Sequence, residues 1–228
     1  MRSIAFVIVF MALSACQSTP TIQTGPNAEI SYDGLVKLNN TRIDSAWIRP
    51  GIDLSAYDKL ILEGAGIRYR SVSEVNRIYL SNFQGMPIDT EQVEYIQRAV
   101  RDVFTRGMAE SEHFEIVEEP GPDTLTLNGY LIDVVSFVPP QDDTVDRIYH
   151  YITQLGEATL VLELRDSLSG QTLARATDRR ILEPSFSDIN ADIAVNRFEV
   201  ERELDRWVDT IRNGLEYLAN TPILPEEK

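Results

Sequence analysis

The chain has 228 residues, 43% apolar and 25% charged, which is enough apolar surface for a buried core and excludes global disorder. Its 21 basic and 36 acidic residues give a net charge of −15. That balance excludes nucleic acid as a partner, because such binding depends on cationic contacts to phosphate, and it requires an anchor for any contact with anionic lipid.

Residues 1–15 read MRSIAFVIVFMALSA. Arg2 is the one charge, residues 4–13 are ten apolar residues in a row, and the small Ser14 and Ala15 follow. These are the proportions of a secretory signal, and the run falls short of the roughly 20 residues that cross a bilayer. Leu13-Ser14-Ala15-Cys16 resembles the lipobox of bacterial lipoproteins. The resemblance implies that the Cys16 thiol receives a diacylglycerol, that the signal is cut before it, and that the new amino terminus is acylated. Cys16 is the only cysteine, which suits a lipid attachment point and leaves no disulfide. Removing residues 1–15 takes away Arg2 alone, leaving 20 basic and 36 acidic residues and a net charge of −16. Gln17 follows the cysteine where Asp would hold similar Gram-negative lipoproteins at the inner membrane. The resemblance therefore implies the outer membrane, at its periplasmic face.

Residues 17–27 are rich in Ser, Thr, Gln, Pro and Gly without periodicity, and read as a flexible tether. Stretched at about 3.3–3.6 Å per residue, it reaches roughly 35–40 Å. The expected organisation is a signal over 1–15, a lipidated cysteine and tether over 16–30, and a single periplasmic domain over 31–228.

The domain begins with Tyr32-Asp33-Gly34-Leu35, followed by Pro50-Gly51-Ile52-Asp53-Leu54-Ser55-Ala56-Tyr57-Asp58-Lys59 ahead of an apolar strand. This pattern resembles the Gram-negative lipoprotein family called domain of unknown function 3313. The recognisable words lie between residues 32 and 67. The resemblance implies an envelope address and brings no catalytic residue with it. Read from the residues, Pro50-Gly51 and Tyr57-Asp58 are turns, so the words punctuate a fold.

Residues 59–70 predict a strand with Leu60 and Leu62 on one face and Ile61 on the other, and Gly64 and Gly66 suggest a bulge. Residues 71–87 form an irregular insertion carrying Tyr79 and Phe83, a candidate contact surface. Residues 89–111 predict a helix with a stripe of Val93, Ile96, Val100, Val103, Phe104 and Met108. A short strand at 114–117 follows. Residues 124–138 alternate, placing Leu125, Leu127, Leu131, Val135 and Phe137 on one face. Residues 155–166 alternate through Ala158, Leu160, Leu162 and Leu164, and a hairpin loop at 167–170 leads into a strand at 171–182. Residues 192–220 predict a long second helix, striped by Val200, Leu204, Trp207, Val208, Ile211, Leu215 and Leu218. The fold class is α/β in the α+β sense: a mostly antiparallel sheet of about five strands with two main helices on one face. The element order resembles that of periplasmic lipoprotein domains that serve assembly or secretion.

No catalytic constellation stands out. There is no G-x-S-x-G elbow, and no cysteine remains after lipidation. His113 has Glu110 and Glu112 nearby, and His150 sits between Tyr149 and Tyr151, which is too sparse for a zinc site. The acidic run at 141–146 places Arg147 where a calcium loop beginning at Asp142 needs glycine. Gly64-Ala65-Gly66 lacks the third glycine and lysine of a phosphate loop. A pair of carboxylates for glycoside hydrolysis cannot be placed from sequence. Thus no catalytic, cofactor-binding or metal residue and no cofactor is expected. Tyr149 and Tyr151 join Tyr79 and Phe83 as contact candidates, since aromatic residues beside loops are enriched at interfaces. The expected role is that of a non-enzymatic accessory or assembly factor, membrane-bound through Cys16, whose partner is another envelope protein or a second copy. A small-molecule or lipid-binding auxiliary of a transport system is the alternative, with an apolar cavity between helices and sheet as its signature. An envelope-polymer hydrolase comes third.

Overall fold

A computed structural model describes residues 19–71, 88, 90–137, 155–183 and 193–227. The strands are β1 (Thr21–Ile22), β2 (Val36–Asn39), β3 (Ser45–Ile48), β4 (Lys59–Tyr69), β5 (Glu115–Ile116), β6 (Thr124–Ser136), β7 (Gly156–Asp166) and β8 (Thr172–Leu182). Two helices, α1 (Thr90–Met108) and α2 (Ile193–Ala219), lie between β4 and β5 and after β8. The eight strands form one sheet in the order β1-β2-β3-β8-β7-β6-β4-β5.

The five expected strands are β4 to β8. Three more extend the sheet at the far edge, because the segment before residue 59 pairs with β8 through β3. Neighbours are antiparallel except that β4 runs parallel to both β5 and β6. Parallel neighbours need a crossover, and α1 supplies it.

One face of the sheet carries the helices. Leu60 of β4, Leu125 and Leu127 of β6, Leu160, Leu162 and Leu164 of β7 pack with Val103 and Met108 of α1 and with Leu204, Trp207, Val208, Ile211 and Leu215 of α2. Each fully buried leucine contributes about 1.5–3 kcal/mol from apolar area removed from water. The two helices touch at Gly107, where a Cβ would overlap Val208 Cγ1.

The strict alternation expected for β6 breaks at Asp133, which has a left-handed φ of 57°. The β6–β7 register shifts between Ile132 and Val135. An extra residue reverses the parity of everything after it. Val134, not Val135, therefore joins Leu131 in the core under the helices. The bulge expected in β4 is present as a register shift between Gly64 and Gly66.

The segment expected to be all tether contains β1. Thr21–Ile22 pairs antiparallel with β2 at Asn39 and Leu38. On its other side Ile22 donates its amide to Pro225 O at 2.9 Å and accepts from the Glu227 amide at 2.9 Å. The polar composition of 17–27 conceals this because the partners lie far along the chain. The stretch from Cys16 to Thr21 reaches at most about 18 Å at roughly 3.5 Å per residue.

Candidate functional site

The family words at 32–35 and 50–59 are structural. The Tyr32 ring lies 5.3 Å from the Arg175 guanidinium, and the Asp33 carboxylate accepts from Arg175 Nη2 at 2.8 Å. Gly34, at φ 81°, makes the turn that buries Leu35. Asp53 accepts from the Ser55 amide at 2.9 Å and so caps the short 3-10 helix Leu54–Ala56, whose Leu54 enters the core. Tyr57 donates its hydroxyl to Asp166 at 3.0 Å, and Lys59 pairs with Asp123.

The sheet face away from the helices is polar and internally paired. Arg175 bridges Asp33 and Glu163, the latter accepting from Arg175 Nε at 3.0 Å and from Arg165. Farther along, Arg70 of the segment after β4 binds Asp133 and donates to Glu157 at 2.6 Å, while Arg179 Nε donates to Glu157 at 3.0 Å. The Arg179 hydrogen bond, joined by Arg70, holds the Glu157 carboxyl below its ordinary range. Arg70 does the same for Asp133. Burial pushes Glu163 up, but Arg165 and Arg175 outweigh it and the net direction is down. A general acid needs a raised pKa, so these carboxylates are built as anions and not as proton donors.

His113 is structural too. Its Nε2 donates to the Tyr57 carbonyl oxygen at 2.9 Å, and its ring meets Phe114 edge-on at 4.6 Å. Among the described residues no group of three His, Cys, Asp or Glu side chains is arranged to hold a metal ion. No described helix is long and apolar enough to cross a membrane.

Among the described residues a cavity of about 480 Å³ lies between α2 and the helix face of the sheet, open to solvent on one side. Leu162 and Leu164 of β7 and Ala174 of β8 form its floor, and Ile211, Leu215 and Leu218 of α2 form its roof. Two features keep it open. Gly214 lies in the roof with nothing within 4 Å of where a Cβ would stand, and the alanines of β8 leave the floor shallow. The cavity also reaches residues 40–43 of the β2–β3 turn and, ahead of β1, Thr19 and Pro20. Its size falls within the roughly 300–1,000 Å³ of small-molecule and cofactor sites.

Of the residues singled out in the sequence, Cys16, Tyr79, Phe83, Tyr149 and Tyr151 lie outside the described residues, as do His150 and the acidic run. The cavity lining was not legible as a site. One signal was present: Gly214 lies inside the second helical stripe, and an interior helix glycine costs about 1 kcal/mol relative to alanine.

Fold and site together define an α+β protein in which two helices cover one face of a mixed sheet and leave an apolar chamber beneath the second helix. The chain belongs to the family described as "Protein of unknown function (DUF3313)", which matches residues 28–185. The matched range ends before α2, so the roof of the chamber lies beyond it. No curated protein matches the chain. Among solved structures it is similar to protein XCC0632 from Xanthomonas campestris, of family DUF330, at 13% identity over 79% of this chain and 93% of that one, with a TM-score of 0.42. A minor lipoprotein from Acinetobacter baumannii matches at 14% identity over 75% and 97%, TM-score 0.33. The PelC dodecamer from Paraburkholderia phytofirmans matches at 10% identity over 72% and 96%, TM-score 0.33. Likeness at this level brings no role with it.

Proposed function

We propose that this chain is a lipid-anchored, non-enzymatic accessory lipoprotein of the Gram-negative envelope, held at the periplasmic face of the outer membrane through Cys16. The observation that carries the reading is the order of its first 22 residues: a short apolar run, Leu13-Ser14-Ala15-Cys16, then a strand clamped into the sheet. An acylated cysteine there would hold the folded body within about 18 Å of the bilayer. A net charge of −16 after the cysteine argues that anionic lipid is not itself the attraction. The action would be contact with another envelope protein or a second copy, with Tyr79, Phe83, Tyr149 and Tyr151 as the aromatic candidates. Carboxylates tied to arginines weigh against a hydrolase.

The test is crosslinking in cells of the full-length protein beside Cys16→Ala, followed by membrane fractionation and mass spectrometry. The expected result is an outer-membrane wild type with one reproducible partner, and loss of both in the variant. Equal fractionation of the two would remove the anchor from the account.

A second reading is favoured by the cavity. An apolar chamber between helices and sheet is the feature expected of a lipid-binding auxiliary, and Leu, Ile and Ala supply half of its lining residues.

A further inference from the structure

We infer that the chamber beneath α2 takes one acyl chain of the protein's own lipidated Cys16. The inference rests on the lipid-anchor reading above and adds to it an intramolecular resting place for the anchor.

Position is the first argument. Thr19 and Pro20 line the chamber, and the described chain begins at Thr19. Two residues, Gln17 and Ser18, separate Thr19 from Cys16, and the three steps span at most about 11 Å at roughly 3.5 Å each. β1 is fixed on one side by β2 and on the other by the segment at 225–227, so this entrance does not wander from the anchor. A lipid attached at Cys16 is therefore delivered to the entrance by the chain itself, and a tether this short gives it a high effective concentration there.

Size and chemistry are the second. At about 480 Å³ the chamber lies within the roughly 300–1,000 Å³ of sites that take a small ligand, room for a substantial part of an acyl chain. Its floor and roof are aliphatic, with Leu162, Leu164, Ile211, Leu215 and Leu218 contributing, and methylenes laid against them lose contact with water on that side. Gly214 provides the clearance a flexible chain needs along α2.

Surroundings are the third. Arg42 stands exposed at the rim while the domain as a whole is acidic. A cation at that edge faces lipid phosphates when the anchored end of the domain meets the leaflet. One acyl chain could then fold back into the chamber while the others remain in the bilayer. The step breaks and forms no bond.

The experiment places a photoreactive residue in the chamber of the full-length protein in its own membrane. Tyr217→benzoylphenylalanine replaces one lining aromatic by another, and Phe198→benzoylphenylalanine, on an exposed position of the same helix outside the chamber, is the control. Intact mass first establishes whether Cys16 is acylated, and thermal denaturation that each variant is folded. The expected product after illumination is a crosslink between α2 and the lipidated amino-terminal peptide, seen for position 217 and absent for 198. In parallel, a soluble form beginning at Gln17, exported by an ordinary cleavable signal, is titrated with the fluorescent fatty acid cis-parinaric acid. It should bind one equivalent, and Gly214→Phe should weaken that binding by about tenfold or more by filling the chamber. An unacylated Cys16 overturns the anchor reading and this inference together. An acylated Cys16 with no lipid crosslink at 217, with crosslinks to phospholipid, or with crosslinks to another protein overturns this inference and leaves the anchor standing. Failure of the folded soluble form to bind the fatty acid also overturns it.

Discussion

The Trp207 indole of α2 donates its Nε1–H to the Asp178 carboxylate of β8 at 2.7 Å, and the two residues are only 2% and 4% exposed. Asp178 is a charge on the helix face of the sheet, where its neighbours are aliphatic. Besides the indole it accepts from Arg180 Nε at 2.7 Å and, through its other oxygen, from the Asp44 amide at 3.0 Å. A single carboxylate thus ties α2, β8 and the β2–β3 turn together.

Trp207→Phe should therefore cost more than the lost ring area. It removes a donor from a buried carboxylate, a loss of about 1.5–3 kcal/mol for hydrogen bonds to charged groups. Asp178→Ala should cost at least as much, because it leaves the indole N–H, the Arg180 guanidinium and the Asp44 amide without their acceptor. Urea denaturation of the soluble domain reads both. If Trp207→Phe shifts the midpoint no more than an exposed Phe198→Ala, the hub is not holding the helix.

Two glycines in the helices should respond in opposite directions to the same added methyl. At Gly107 a Cβ would overlap Val208 Cγ1. Valine in a helix is confined to few rotamers, so the helices must part, and Gly107→Ala should destabilise by about 1–3 kcal/mol. At Gly214 nothing stands within 4 Å of the new carbon. Gly214→Ala should stabilise by about 0.5–1 kcal/mol through helix propensity alone. Paired melting curves decide it, and equal shifts of the same sign would contradict the packing described at both sites.

Acid should weaken the fold through the paired carboxylates of the polar sheet face. Arg179 and Arg70 lower Glu157, Arg70 lowers Asp133, and Arg175 with Ser31 lowers Asp33. A folded pKa below the unfolded one means that the unfolded chain binds more protons in the interval between them. Their contribution is therefore complete above the unfolded values of about 4 and is lost as pH falls through the lower folded values. The denaturation midpoint should be flat from neutral pH to about pH 5 and then decline. Arg70→Met should lower the midpoint at pH 7 and make the acid decline shallower, since Asp133 loses its principal partner and Glu157 keeps only Arg179. A variant with the wild-type slope would show that Arg70 does not set these protonation states.

The elements legible in the sequence were those whose pattern is long and local. Strands β4, β6, β7 and β8 and both helices were expected within three residues of their observed ends, because eleven or more residues of alternation or helical stripe are hard to mistake. The N-terminal strands were missed for a physical reason. β2 and β3 have four residues each and β1 two, and their strand state comes from partners at 174–177 and 225–227 rather than from their own composition. The parity reversal at Asp133 depends on one left-handed residue, which no periodicity announces. The chamber was legible only as the oddity of Gly214, because an empty volume is fixed by how elements sit against one another and not by any one of them.

The clamp on β1 yields the last test, and it concerns how far the body can stand from its anchor. Ile22 donates to Pro225 O and accepts from the Glu227 amide, while Thr24 Oγ1 meets Glu227 O at 3.4 Å. Removing residues 222–228 deletes all three partners and leaves β1 held by β2, through the two-residue ladder and the Gln23 bonds to Lys37 O and Asn39. So short a ladder frays readily. The Gln23 amide, which donates to Lys37 O of β2 at 3.1 Å, should then exchange with deuterium at least about tenfold faster, since losing one hydrogen-bonding edge amounts to about 1.4 kcal/mol or more of local opening free energy. Amides in β7, two strands inward from β3, should be unchanged. If β1 comes free, the reach from Cys16 lengthens from about 18 Å toward the roughly 35–40 Å of an unstructured tether. The entrance to the chamber would then lose its fixed relation to the anchor. Unchanged exchange at Gln23 would mean that β2 alone secures the strand and that the C-terminal segment plays no part in setting the distance to the membrane.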